Sequence, residues 1–160
     1  MNTDLDHVLK LLGDGGLGSR DDPGALGFLQ SFEQFRNRTS LVDHATIADA
    51  ERRDLAGVLG QPSMRQVLVQ ALRLSLGEAS RRVAAAHACG PRVSMLGEEL
   101  EPVRPVLAAA QRDGAVSPEQ VQIITQALGK VDRPGFDPAA ISAGEELLTE
   151  FATTMGCKDL

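Results

Sequence analysis

The chain has no tryptophan, no tyrosine and only five phenylalanines in 160 residues. Large aromatic anchors therefore cannot dominate its interior, which falls to Leu, Val, Ile, Ala and Met. Strands favour aromatic and β-branched residues and helices favour Ala and Leu, so the deficit leans the chain toward helix. Cysteine is scarce as well: Cys89 and Cys157 lie far apart and form no CxxC pair. A disulfide scaffold is not implied, and the pair reads as two free, buried thiols in a reducing cytosol. No window approaches 18 consecutive apolar residues, so no membrane span is expected. The N-terminus lacks a basic start followed by an apolar stretch, so no secretory signal is read. Together these absences predict a soluble, cytoplasmic protein with no membrane partner.

What is present fits one ordinary globular chain, with 42% apolar and 24% charged residues. The net charge of −6 is uneven. Residues 1–60 carry net −4, residues 61–112 net +3 and residues 113–160 net −5, so a basic band lies between acidic ends. Thirteen of the 16 basic residues are arginine, whose planar fork suits phosphate and carboxylate, although arginine beside abundant alanine also marks a GC-rich genome.

Hydrophobic spacing predicts an all-α fold of six or seven helices in one packed domain, preceded by an arm. Residues 1–24 read as a short helix over 3–12 followed by a Gly-rich linker, and residues 25–160 as the helical domain. Phe28, Phe32 and Phe35 share one helical face, continued by Leu41, Ala45, Ala48, Leu55 and Leu59, with Gly60 and Pro62 as a stop. Ser63 caps a helix facing inward through Met64, Val67, Leu68, Ala71 and Leu72. Ser75 and Glu78 spell a capping box for a helix using Ala79, Val83 and Ala86. Residues 91–101 read as an irregular link. Pro102 and Pro105 open a helix through Val103, Val106, Leu107 and Ala110, with Pro102 and Pro105 in its first turn. Ser117-Pro118-Glu119-Gln120 signals another start, followed by Val121, Ile124 and Leu128. A last helix from about Pro138 uses Ile141, Leu147, Leu148, Phe151 and Met155 as its inner face.

No motif supports catalysis. Gly13, Gly15 and Gly18 spell a dinucleotide fingerprint, but the required strand before it and helix after it are missing, so the stretch reads as linker. His7, His44 and His87 stand in no metal-ligand spacing, and His87 and Cys89 point to different helix faces. Glu98, Glu99 and Glu101, like Glu145 and Glu146, read as solvated acidic faces. No catalytic residue, cofactor or metal is expected. The sharpest local feature is a helix-turn-helix-like outline over residues 63–88. Arg65, Arg73, Arg81 and Arg82, with Arg92 just beyond, against the single acid Glu78 give residues 63–92 net +4, and these five arginines are the candidate contacts to duplex DNA.

Several segments, in order, resemble one family. They are Phe35-Arg36-Asn37-Arg38 with Leu41-Val42-Asp43-His44; Leu72-Arg73-Leu74-Ser75 with Glu78-Ala79-Ser80-Arg81-Arg82-Val83; Gly90-Pro91-Arg92; Gly97-Glu98-Glu99-Leu100-Glu101-Pro102-Val103 with Pro105; and Gly114-Ala115-Val116-Ser117-Pro118-Glu119-Gln120-Val121. Over about residues 26–160 the chain resembles the 13E12 repeat family of high-GC bacteria, also called domain of unknown function 222. The resemblance implies a helical region that commonly precedes an HNH endonuclease domain, in proteins linked to repetitive or mobile DNA. The nuclease's metal-binding His and Asn have no match here, so the expectation is a truncated or split copy with no enzymatic activity of its own. Leu76 stands where relatives often carry proline. The expected roles are a DNA-associating module or a protein-interaction or self-association module. Its partners would be duplex DNA, a second copy, or a separate nuclease-bearing chain. A non-functional remnant of a mobile-element nuclease is the remaining reading.

Overall fold

The computed structural model describes residues 21–160, and the expected helix over 3–12 and the glycine motif at 13–18 lie outside them. Among the described residues there are seven helices and one two-stranded ladder. The helices are α1 (Asp22–Arg52), α2 (Leu55–Val58), α3 (Met64–Leu72), α4 (Leu76–Cys89), α5 (Pro105–Arg112), α6 (Pro118–Val131) and α7 (Pro138–Thr154), with β1 (Arg92–Val93) and β2 (Glu99–Leu100) between α4 and α5. The all-α expectation holds.

Two compact units divide the chain, Met1–Glu33 and Gln34–Leu160. In the first, α1 starts at Asp22 rather than Ala25. Asp21 Oδ1 accepts the Gly24 N–H at 3.0 Å, and Pro23 sits in the first turn, where its missing N–H is harmless. The rings of Phe28 and Phe32 stack 6.0 Å apart.

The second unit is organised around α4, whose small residues let neighbours approach on two sides. Ala79 and Ala86 join Ile47, Ala50, Met64, Val67 and Leu68 in one apolar cluster. Ala85, Ala88 and Cys89 join Leu107, Val116, Val121, Ile124, Leu128 and Ala152 in the other. Burial pushes the Cys89 thiol up to about 12, so this cysteine is a small core hydrophobe with no thiolate chemistry.

Sequence signals place most helix starts correctly. Ser63 Oγ accepts the Gln66 N–H, and Gly60 adopts φ +65° before Pro62. Ser117 Oγ accepts the Gln120 N–H at 3.2 Å while Gln120 Oε1 accepts the Ser117 N–H at 2.8 Å, a complete capping box. Gln120 Nε2 also donates to the Ala152 and Met155 carbonyls at 2.6 and 2.9 Å, tying the start of α6 to the end of α7.

Five expectations are corrected. The Ser75–Glu78 box is half formed: Ser75 Oγ accepts the Glu78 N–H at 3.1 Å, but the Glu78 carboxylate is taken by Arg81 and Arg82 instead of reaching back. The link at 91–101 contains an antiparallel ladder pairing Arg92 with Leu100 and Val93 with Glu99. Its turn is closed by Ser94 Oγ accepting the Leu96 and Glu98 N–H groups and by Gly97 at φ +86°. The helix after it begins at Pro105, leaving Pro102 outside, and Val103 and Val106 stay exposed. In α1 the buried face is Asn37, His44, Ile47 and Ala50, rotated from the expected Leu41, Ala45 and Ala48. In α7 the faces are exchanged in part: Leu148 packs on the core and Ile141 is half-buried as expected, but Glu145, Thr149 and Ala152 are the buried residues, whereas Leu147, Phe151 and, at the C-cap, Met155 are 51%, 39% and 41% exposed.

Candidate functional site

The exchange in α7 has a definite cause. Arg104, the residue before α5, supplies no side-chain cap, so the orphan amides of the first turn of α5 need an acceptor from elsewhere. Glu145, 3% exposed, provides it: its Oε1 accepts the Val106 and Leu107 N–H groups at 2.8 and 3.0 Å. A carboxylate at a helix N-terminus also meets the positive end of the helix dipole. The anchor fixes the rotation of α7 about its axis. Arg104, 8% exposed, pairs with Asp132 at 2.5 Å and donates its backbone N–H to Ala88 O at 2.9 Å, holding α5 to the end of α4.

With Glu145 inward, α7 presents Ala140, Ala143, Leu147 and Phe151 outward at i, i+3, i+7 and i+11, and all four are exposed. Exposed Glu146 and Glu150 border this stripe. At the hairpin turn, Met95 and Leu96 are also exposed. Sequence reasoning missed the stripe because a Leu/Phe face on an amphipathic helix reads as core, and nothing local marks Glu145 as a distant helix cap.

The five candidate arginines do not converge. Arg81 and Arg82 come together on α4 but are held by carboxylates. Arg81 donates to both Glu78 oxygens at 2.8 and 2.6 Å, and Arg82 donates to Glu78 at 2.7 Å and pairs with Asp43 of α1 at 3.1 Å. Both arginines stay half-exposed near the start of α4, whose fully exposed positions are Leu76, Gly77, Ala84 and His87. Arg65 borders a cleft of about 350 Å³ with Glu51 and His87. Arg92 borders a second cleft, about 670 Å³, with Asp49, Glu51 and His87. Across these clefts His87 Nε2 lies 2.8 Å from Glu51 Oε2. Arg73 is exposed as the left-handed cap of α3 at φ +56°.

The hydrogen bond from Arg81, reinforced by Arg82, holds the Glu78 carboxyl down to about 2. His44, 2% exposed, is pushed below its ordinary 6.5 by burial, with Asp43 opposing and Arg81 assisting. Both shifts give a definite acid limb. A buried neutral histidine loses ground as pH falls below 6.5, where the unfolded chain takes up the proton first. The Glu78 ion pairs are fully stabilising above 4.5 and fade as pH falls from there toward about 2. Denaturant titrations across this range should show stability declining in both windows, and Glu78→Gln should flatten the lower one. A flat profile in the parent protein would contradict the Glu78 network.

Among the described residues no three His, Cys, Asp or Glu side chains gather to hold a metal ion, and no helix is long and apolar enough to cross a membrane. The family model described as a domain of unknown function, DUF222, matches residues 26–155. The chain belongs to the DUF222 family. An uncharacterized protein of Mycobacterium tuberculosis is 34% identical over 153 residues, which cover 93% of this chain and 32% of the relative. An uncharacterized protein of Mycobacterium bovis is 35% identical over 132 residues, covering 82% of this chain and 29% of the relative. The DUF222 chain thus spans about a third of the length of these relatives. No solved structure matches it.

Proposed function

We propose that this DUF222 chain is a non-catalytic helical docking module, and that its docking face is the outward stripe of α7. The observation that supports this reading is an apolar stripe left outward while Glu145 and Thr149 are buried, Leu147 at 51% and Phe151 at 39% exposure. An apolar surface of this kind, bordered by charge, marks an interaction site. Glu146 and Glu150 at its border select a partner helix with an apolar seam and basic flanks. The resemblance to 13E12 repeat proteins supports a nuclease-bearing polypeptide as that partner, and the relatives, three times as long, have the chain to supply one in cis.

Co-expression with the unmatched two-thirds of the Mycobacterium tuberculosis relative tests this. A stable complex is expected, lost in the Leu147→Glu, Phe151→Glu double variant although that variant stays folded. No complex, or one indifferent to the double variant, would refute the docking face.

A second reading, association with duplex DNA, draws on Arg65 and Arg73. Both are exposed, and among the described residues no ion pair holds either one. It requires duplex affinity that falls with salt and falls again in Arg65→Ala, Arg73→Ala. Salt-independent retention of DNA would count against it.

A further inference from the structure

The larger of the two clefts beside His87, about 670 Å³, lies within the Gln34–Leu160 unit. Ala45 and Ala48 line it from α1, Ala86 from α4, and Pro91, Arg92 and Val93 from β1 and the residue before it. The charged side chains at its rim are engaged: Arg52 with Asp49, His87 with Glu51, and Arg92 with the Glu101 carbonyl at 3.1 Å. Two acids and two arginines balance there, so the cleft selects no ion, and small apolar side chains form much of its wall.

Its distinguishing feature is a strand edge. Ser94 donates its N–H to Glu98 O at 2.8 Å, which makes these two a hydrogen-bonded pair at the end of the β1–β2 ladder. Hydrogen-bonded and non-hydrogen-bonded pairs alternate along an antiparallel ladder. In the register Arg92↔Leu100 and Val93↔Glu99, Val93 falls in the non-bonded pair, so its N–H and C=O point away from β2. Two positions earlier on the same edge stands Pro91, which has no N–H to leave unpaired. Consecutive strand residues send their side chains to opposite faces, yet Arg92 and Val93 both line the cleft, and neither Glu99 nor Leu100 does. The cleft therefore meets β1 along its outer edge. An unpaired edge donor and acceptor beside an apolar trough is the geometry by which a sheet takes up another strand.

We infer that the outer edge of β1 and this cleft bind an extended segment of a partner polypeptide, added to the ladder as a third strand. The Val93 N–H donates to a carbonyl of the segment, and the Val93 C=O accepts one of its amides. Apolar side chains at every second position of the segment settle on Ala45, Ala48 and Ala86. Only an extended polypeptide brings both a free acceptor and a free donor at this spacing. A helix has used both on itself, and the phosphodiester backbone of DNA has acceptors without donors. The site shares no residue with the α7 stripe.

Fluorescence anisotropy of a labelled peptide, Thr-Val-Ser-Val-Thr with both ends blocked, tests the inference on the full chain. Saturable binding is expected. The Val93 amide hydrogen should exchange readily in the chain alone and slow by roughly tenfold or more in the complex. Val93→Pro removes only an outward N–H, at an edge position where proline is tolerated, and should weaken binding by roughly tenfold. Val93→Thr keeps the N–H and should bind within about twofold of the parent. Ala45→Arg, at an exposed helix position, should fill the trough and abolish binding. The Leu147→Glu, Phe151→Glu double variant should bind the peptide unchanged, so this site and the α7 face are tested separately. If Val93→Pro fails to fold, Ala45→Arg and the Val93 exchange rate still decide the matter. No saturable binding, indifference to Val93→Pro or Ala45→Arg, an unchanged Val93 exchange rate, or a dimer of the chain itself that Val93→Pro dissolves would each overturn it.

Discussion

Glu145→Ala should lower the unfolding free energy by about 3 kcal/mol. The carboxylate accepts two backbone N–H groups from the first turn of α5, and Leu107, one of the two residues capped, is fully buried. Hydrogen bonds to a charged group contribute about 1.5–3 kcal/mol, and stranding a buried donor costs about 1–3 kcal/mol. Helix caps removed elsewhere cost about 0.5–2 kcal/mol, which sets a floor. Glu145→Gln keeps a carbonyl oxygen in place and loses only the charge, so it should cost roughly 1 kcal/mol, by the difference between charged and neutral hydrogen bonds. Chemical denaturation of Glu145→Ala, Glu145→Gln and the similarly sized Glu145→Met separates the cap from mere side-chain volume. A loss in Glu145→Met as small as in Glu145→Gln would show that packing at position 145, not the cap, governs α7.

The second large effect is at Gly114, which closes α5 at φ +76°. A methyl group there would lie 2.6 Å from Gln34 O and 3.2 Å from Arg38 Cγ, both on α1. The Gly114 carbonyl in turn accepts the Asn37 Nδ2 donor at 3.0 Å, so the glycine is pressed against α1 and bonded to it. Left-handed backbone costs a residue with a Cβ about 1–2 kcal/mol, and the clash with a helix carbonyl adds to that. Gly114→Ala should therefore cost about 3 kcal/mol, by the strain and overpacking terms together. Gly97 is the control: its φ is +86° and nothing lies within 4 Å of the added carbon. Gly97→Ala should cost only the backbone term, about 1 kcal/mol. Similar losses at the two glycines would mean that α1 does not press on the α5–α6 turn.

The helices were legible in the sequence wherever a start or stop signal has a local cause. Ser63, Ser117 and Gln120 act within three residues, and Gly60 needs only its own φ, so reading along the chain finds them. The inner face of α6, Val121, Ile124 and Leu128, was also legible, because hydrophobicity and burial agree there. Legibility ended where a polar residue serves a distant partner. Glu145 acts 38 residues away on Leu107, Asn37 acts 77 residues away on Gly114, and Gln111 acts 71 residues away on Ser40. None leaves a periodic trace, and Glu145 overrides the trace that Leu147 and Phe151 leave. Arg81 and Arg82 misled for a related reason: net charge counts them as free cations, while Glu78 at i−3 and i−4 and Asp43 on another helix occupy them.

The orientation of α7 is the claim on which the docking reading stands, and lysine substitution reads it directly by comparing unfolding free energies. Leu147→Lys and Phe151→Lys should each stay within about 0.5 kcal/mol of the parent, as changes at exposed positions do. Thr149→Lys, placing a charge at a position 4% exposed, should cost several times more or prevent folding. Leu147→Lys or Phe151→Lys unfolding the chain while Thr149→Lys leaves it intact would contradict the account.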